Sequence, residues 1–327
     1  MSVSVVFQGP GCVDLDERPV PEPGPTDAVI AVEGCGVCGS DLASYREGAY
    51  VSPGQVMGHE FVGVVVAAGE ECRVSVGDRL AVRPMRSCGR CWYCRRGDIH
   101  LCSGTAELSL SFGLPGGYAA HVHVPDPNPG VDVFVLPAET DVRDGIWVEP
   151  LAVALHAVRL AGPVAGRRVL VVGAGSIGLC LLTAARLSGA TTVVVEPRDV
   201  RRDLAAALGA DAVLADAAEL APGSVDVVLD STGVPAALQA AVGSTLPGAS
   251  IVLVGVTHHD VELPADRWVR GSFGYQEEDF AASAELVATG RARLGRAVTH
   301  EFSLTSFDEA MTVAASDPRA GKVVVRP

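Results

Sequence analysis

The sequence predicts an α/β protein in which a doubly wound parallel sheet is joined to a mostly-β region. Three observations predict it. Arg168 to Glu196, RVLVVGAGSIGLCLLTAARLSGATTVVVE, reads as strand, Gly-rich turn, helix, strand and acid. After it, strand-like and helix-like runs alternate to residue 271, the pattern of a parallel sheet with right-handed crossovers. Before it, residues 1 to 150 carry short apolar runs cut by Gly, Pro and Asp, the pattern of short strands and turns.

Composition bounds the class. The 327 residues suffice for about two domains. Hydrophobic residues make up 48% of the chain and aromatic ones 5%, which points to cores of Val, Ala and Leu. A net charge of −14 argues against nucleic acid or an anionic membrane as partner. The opening MSVSVVFQGPGCVDLDE has no basic stretch ahead of an apolar core, so no signal peptide is expected. No apolar run reaches the roughly 20 residues of a membrane span. Five of the nine cysteines fall into metal-ligand patterns, which points to a reducing cytoplasm.

In chain order, strands are expected at Val3 to Phe7, Ala28 to Val32, Phe61 to Ala67, Arg79 to Val82 and Tyr118 to Val124. The Pro-rich stretch at 19–27 reads as a surface connection. Cys38, in EGCGVCGSD, and His59, in GHE, are a thiol and an imidazole, both good zinc ligands. Their separation in sequence alone carries little information. The next motif carries more: Cys88, Cys91, Cys94 and Cys102 form C-x2-C-x2-C-x7-C. Four thiolates so close in sequence close a tetrahedron around one zinc and leave no open position, which is a structural site. Glu149 opens a helix running through His156 to Leu160; His156 is expected to pack. Cys12, Cys35, Cys72 and Cys180 match no pattern and are expected to be buried thiols.

Gly173, Gly175, Ser176, Ile177 and Gly178 form the candidate phosphate loop of a Rossmann unit. Gly173 permits the tight turn, Gly175 lets the backbone approach a pyrophosphate, and Gly178 lets helix and strand pack closely. The pyrophosphate sits on the positive helix N-terminus. Glu196 closes the second strand and can accept both ribose hydroxyls of an adenosine, which favours NAD; NADP stays open because Arg198 follows closely. Later strands are expected at Ala212 to Leu214, Val225 to Asp230, Ser250 to Val254 and Val269 to Phe273, with helices at Arg201 to Leu208 and Pro235 to Val242. Ligands of such sheets lie at the carboxyl ends of the strands, which places Thr232 and Gly255 near the cofactor. The tail reads as a helix at Glu277 to Thr289, then strand, helix (Phe307 to Ala315) and strand (Lys322 to Val325).

Taken together, GCGVCGSD, GHE, the four-cysteine lobe, VEPLAVALHA and VLVVGAGSIG resemble the zinc-dependent medium-chain dehydrogenase/reductase family over essentially the whole chain. The sorbitol, glucose, threonine and 2-deoxy-scyllo-inosamine dehydrogenases are the branches most alike. The resemblance implies a GroES-like catalytic domain at 1–153 and 272–327, with the structural-zinc lobe at about 86–104, and a Rossmann NAD-binding domain at 154–271. It implies two zinc ions per chain. The catalytic one would be held by Cys38, His59 and either Glu60 or Glu149, with a position left open for substrate.

The implied reaction passes a hydride between a secondary alcohol, of a polyol, sugar or aminocyclitol, and the nicotinamide, with zinc as Lewis acid. Ser40 matches the family's proton-accepting hydroxyl, and Asp41 reads as an orienting group. Relatives often carry a proton-relaying histidine where this chain has Ala43; Tyr45 is one substitute. Arg201 matches a basic residue against the adenosine, and Lys322 a tail position approaching the pyrophosphate. Tyr45, Phe112 and Trp147 are candidate pocket residues. Relatives form homodimers or homotetramers through the Rossmann sheet edge, here Val269 to Phe273. Three alternatives remain at this point: a threonine-like amino-alcohol or simple secondary-alcohol dehydrogenase, a non-catalytic zinc-stabilised NAD-binding redox sensor, and a zinc-free quinone reductase, against which the cysteine lobe weighs.

Overall fold

The computed structural model describes residues 1–255 and 260–327. The chain divides into two compact units, Met1–Glu149 with Gln276–Pro327, and Pro150–Tyr275.

The second unit is a six-stranded parallel sheet. Its order is Ala212–Leu214, Thr191–Val195, Arg168–Val172, Val225–Asp230, Thr245–Leu253 and Trp268–Gly271. Strand composition explains the burial. RVLVV and TTVVV are buried at every position after the first, as strands covered on both faces must be. Helix Ser176–Leu187 follows the first strand and buries Gly178 through Ala185. Thr183 sits in that core because its hydroxyl donates to the Leu179 carbonyl at 2.9 Å. The strand order reverses between Arg168–Val172 and Val225–Asp230, and this switch point is where such sheets bind their ligand.

The first unit is mostly β. Ala28–Gly36 pairs antiparallel with Glu60–Ala68, which continues to Arg79–Val82 and Val133–Leu136. Lys322–Arg326 pairs antiparallel with the carboxyl half of Ala28–Gly36, and parallel with Val298–Ser303 across helix Phe307–Ser316. The core between them holds Ile30, Phe61, Leu80, Tyr118 and Phe307. Two strands escape the apolar-run reading. Cys12–Arg18 carries Asp14, Asp16 and Glu17 and pairs with Ser2–Gly9 as an open two-stranded ribbon. Val133–Leu136 is only four residues long.

The ribbon also corrects the expectation for Cys12, which is exposed; Cys72 is half-buried, and only Cys35 and Cys180 of the four unmatched cysteines are buried. Cys12 opens a strand whose residues are all exposed or half-buried, so its thiol reaches solvent. His156 is buried. Among the described residues, no helix is long and apolar enough to cross a membrane.

Candidate active site

Cys38 is the residue immediately before helix Gly39–Glu47, and His59 immediately precedes strand Glu60–Ala68. The antiparallel pairing of Ala28–Gly36 with Glu60–Ala68 sets Gly36 opposite Glu60. That register brings Cys38 together with His59 and Glu60. One ligand atom from each lies within 4.8 Å of the others. Glu149 is on the first turn of helix Val148–Ala161 and is outside this group.

Asp41 organises the cluster. Its Oδ2 accepts the Cys38 amide at 2.9 Å, capping the helix, and also the Tyr118 hydroxyl at 2.9 Å. Its Oδ1 faces His59 Nδ1 at 3.6 Å. Burial works against a charged His59, but Asp41 and Cys38 outweigh it and raise the imidazole's proton affinity well above the ordinary value. With Nδ1 turned to Asp41, Nε2 is the nitrogen left for a metal. Tyr118 is fully buried; desolvation, then the charge of Asp41, hold its phenol neutral far above neutral pH. Phe112 lies against the imidazole with ring centroids 5.8 Å apart. Its turn is held by the Ser109 carbonyl, which accepts the amides of Phe112, Gly113 and Leu114.

The group fits a zinc ion. It offers sulfur, nitrogen and oxygen, the donor types zinc takes. Glu60 Oε1 is buried with no hydrogen bond, which costs stability unless a cation compensates. Three protein ligands leave a position open, as a catalytic site requires. Ser40 is half-buried two residues after Cys38, on the first turn of the helix. Tyr45 donates its hydroxyl to Asp308 at 2.8 Å. Trp147 is fully buried and presents no surface to a pocket, which corrects its expected place in one.

Cys88, Cys91, Cys94 and Cys102 form a second group with mutual distances within 4.8 Å. Backbone amides are aimed at the sulfurs: Cys88 N lies 3.2 Å and Gly104 N 3.3 Å from Cys102 Sγ. The amides of Cys94 and Ser103 pull the Cys91 thiol down to about 6. Cys91 therefore ionises readily, whereas burial and then the Cys91 hydrogen bond push Cys94 up to about 11; thiolates are what zinc binds.

In the second unit the expected loop residues gather at the carboxyl ends of the strands. Gly173 has φ +90°, and a Cβ there would lie 2.5 Å from Thr232 Cγ2. Gly178 packs against the Gly173 carbonyl so closely that any Cβ would collide with it. Gly175 precedes helix Ser176–Leu187 with no side-chain cap, which leaves the amides of Ser176, Ile177 and Gly178 to an anion. Glu196 Oε2 accepts the Ala174 amide at 2.9 Å and Oε1 the Arg198 amide at 3.0 Å. An Arg201 guanidinium nitrogen comes within 3.7 Å of where a Gly175 Cβ would sit. Thr232 caps its own turn through Asp230, a fully buried acid that also receives the Gly233 amide at 3.1 Å. Gly255 donates its amide to the Asp230 carbonyl at 2.9 Å. Lys322 lies in the first unit, fully buried.

Sequence reasoning missed Tyr118 and Asp230. Tyr118 gives no local signal, since its partner Asp41 is remote in sequence. Asp230 ends a predicted strand just before Ser-Thr-Gly, a place where a buried acid could have been suspected.

Comparison with known proteins agrees with this geometry. Residues 24–133 match the alcohol dehydrogenase GroES-like domain, and residues 176–289 match the zinc-binding dehydrogenase domain. An L-threonine 3-dehydrogenase of Pyrococcus abyssi is 32% identical over 95% of this chain and 94% of its own length. A sorbitol dehydrogenase of Bombyx mori is 30% identical over 96% of this chain and 95% of its own. Among solved structures, one described as a zinc-binding dehydrogenase from Sinorhizobium meliloti 1021, bound to NADP, superposes with a TM-score of 0.91 at 33% identity, covering 100% of this chain and 99% of that one.

Proposed function

The chain belongs to the zinc-dependent medium-chain alcohol dehydrogenase family, and from that premise we propose that it oxidises a secondary alcohol of a polyol, sugar or aminocyclitol with NAD. It is an alcohol oxidoreductase that uses zinc and a nicotinamide cofactor. The carrying observation is the convergence of Cys38, His59 and Glu60 in one unit of a chain whose other unit holds a complete dinucleotide loop. The zinc ion supplies Lewis acidity to the substrate oxygen when bound.

The residues' own roles follow. Cys38, His59 and Glu60 hold the metal, and Cys88, Cys91, Cys94 and Cys102 hold the structural ion. Glu149 is the alternative carboxylate. Ser40 Oγ takes the alcohol proton. Ala43 cannot relay it, so the proton leaves through water. Tyr45 is a poor relay because desolvation and then Asp308 push its phenol up to about 12. Gly173, Gly175, Ser176, Ile177 and Gly178 seat the pyrophosphate, with Thr232 and Gly255 bordering it. Arg201 lies against the adenosine. Glu196, already accepting two amides, presents its carboxylate to the ribose hydroxyls and repels a 2′-phosphate, which supports NAD over NADP.

The threonine dehydrogenase relatives support a second reading, oxidation of an amino alcohol. Formation of NADH across polyols, aminocyclitols, threonine and 2-butanol separates the two. Turnover with threonine alone rejects the first.

Strand Trp268–Gly271 ends the sheet with all four residues exposed, and Trp268 (67%) and Phe273 (63%) leave apolar surface beside it. Such an edge supports a homodimer or homotetramer, which light scattering of the purified protein tests against a Trp268→Glu variant. All nine cysteines are free thiols, which supports a cytoplasmic location.

A further inference from the structure

Tyr118 is 77 residues from Asp41 in sequence and meets it in the interior of the first unit. Its backbone is held on both sides. The amide donates to the Met57 carbonyl at 3.0 Å, and the carbonyl accepts the Val5 amide at 2.9 Å. The ring is held as well. Phe307 meets it edge-on with centroids 4.9 Å apart. Gly58 lies so close that a Cβ there would sit 3.0 Å from Tyr118 Cγ. Gly58 immediately precedes His59, so the ring packs on the peptide that leads into the imidazole. The hydroxyl has one proton and two acceptors in reach, Asp41 Oδ2 at 2.9 Å and the Gly36 carbonyl at 3.3 Å. The shorter bond, to a charged oxygen, takes the proton. Phenylalanine would satisfy the packing equally. A fully buried hydroxyl costs desolvation, and here that cost is offset by bonding a carboxylate that faces His59.

We propose that Tyr118 is a positioning residue of the metal centre and acts through Asp41. The Cys38 amide and the Tyr118 hydroxyl tie Oδ2 at two points. Two ties set the plane of the carboxylate and turn Oδ1 to His59 Nδ1. With one tie the carboxylate pivots about it, and the imidazole loses its fixed acceptor. At full burial no solvent stands in for the lost hydroxyl. The histidine then presents Nε2 to the metal less well, as happens when a partner behind a ligand is removed. The proposal rests on the reading of Cys38, His59 and Glu60 as ligands. It goes beyond that reading by assigning part of the hold on the ion to a hydroxyl outside the ligand set.

The test begins with the zinc content of the wild-type protein; one ion per chain overturns the ligand reading and this proposal together. With two ions present, wild type, Tyr118→Phe, Asp41→Asn and the double variant are dialysed against graded dipicolinate. Tyr118→Phe is expected to lose its second zinc at an about tenfold lower chelator concentration, with retention of the four-cysteine ion and the NAD dissociation constant within about twofold of wild type. In the Asp41→Asn background the same substitution should change zinc retention by less than about twofold, because no carboxylate oxygen then faces Nδ1. A tenfold loss that persists in that background makes Tyr118 a packing residue and overturns the proposal. Unchanged zinc retention in Tyr118→Phe overturns it too. One measurement needs no variant, a crystal structure of the zinc-loaded wild type. There Tyr118 must still donate to Asp41, and Oδ1 must close to hydrogen-bonding distance of Nδ1. A hydroxyl turned to the Gly36 carbonyl alone, with Asp41 released, overturns the proposal.

Discussion

Asp41 Oδ1 lies 3.6 Å from His59 Nδ1, with both side chains buried. The same carboxylate holds the Cys38 amide and the Tyr118 hydroxyl. One acid thus fixes two of the proposed metal ligands, the histidine by its ring orientation and the cysteine through the helix it caps. Asp41→Asn keeps the shape but loses the charge facing Nδ1. Zinc affinity at this site should fall about 10- to 100-fold, while the four-cysteine site keeps its ion. Chelator titration followed by metal analysis checks both; equal loss from the two sites would refute a local role for Asp41.

Gly178 has no room for a methyl group, because any Cβ collides with the Gly173 carbonyl. Gly178→Ala should force strand and helix apart and lower stability by about 1–3 kcal/mol. NAD affinity should drop with it, because the displaced backbone carries the phosphate-binding amides. Urea unfolding and quenching of tryptophan fluorescence by NAD report the two effects. An alanine variant that binds NAD like wild type contradicts the assignment of the loop.

Tyr45 offers a pH test away from the metal. Desolvation and then the Asp308 hydrogen bond push its phenol up to about 12, whereas an unfolded tyrosine ionises near ~10. The stabilisation is fully present below the unfolded value. It is lost as pH rises through the folded one, because the unfolded chain releases its proton first. Tyr45→Phe should remove this fall in stability, measured by urea unfolding at successive alkaline pH values, and should leave alcohol oxidation at neutral pH intact. Loss of turnover in that variant would restore Tyr45 as a proton relay.

The four-cysteine lobe separates a folding role from a chemical one. Cys91→Ala leaves three thiolates and should remove one zinc, with loss of soluble protein or of assembly rather than of hydride chemistry in the fraction that folds. Thermal denaturation and specific activity per folded chain distinguish the two. A Cys91→Ala protein that is stable and inactive would point to catalysis in the lobe.

The dinucleotide unit was legible because each part of its function is local. Gly173 to Gly178 and Glu196 lie within one strand–helix–strand unit, and buried parallel strands such as RVLVV announce themselves by unbroken apolar runs. The metal cluster was legible only through family resemblance. Cys38 and His59 meet because Gly36 pairs with Glu60 in a sheet whose register no local pattern reveals. The same holds for Lys322, whose contacts with Glu60 and Val37 depend on a strand from the far end of the chain. The strand Cys12–Arg18 stayed hidden because its residues are all exposed or half-buried while the ribbon's buried side chains, Val5, Val6 and Phe7, lie on its partner strand, and its exposed Cys12 follows from that.

The second metal ion is most directly tested by counting zinc in wild type and in Cys38→Ala by mass spectrometry of acid-digested protein. Two ions per wild-type chain are expected. The variant should retain one, with NAD binding preserved and NADH formation abolished. A variant that keeps both ions, or that oxidises alcohol with one, would show that Cys38, His59 and Glu60 do not form the reacting centre.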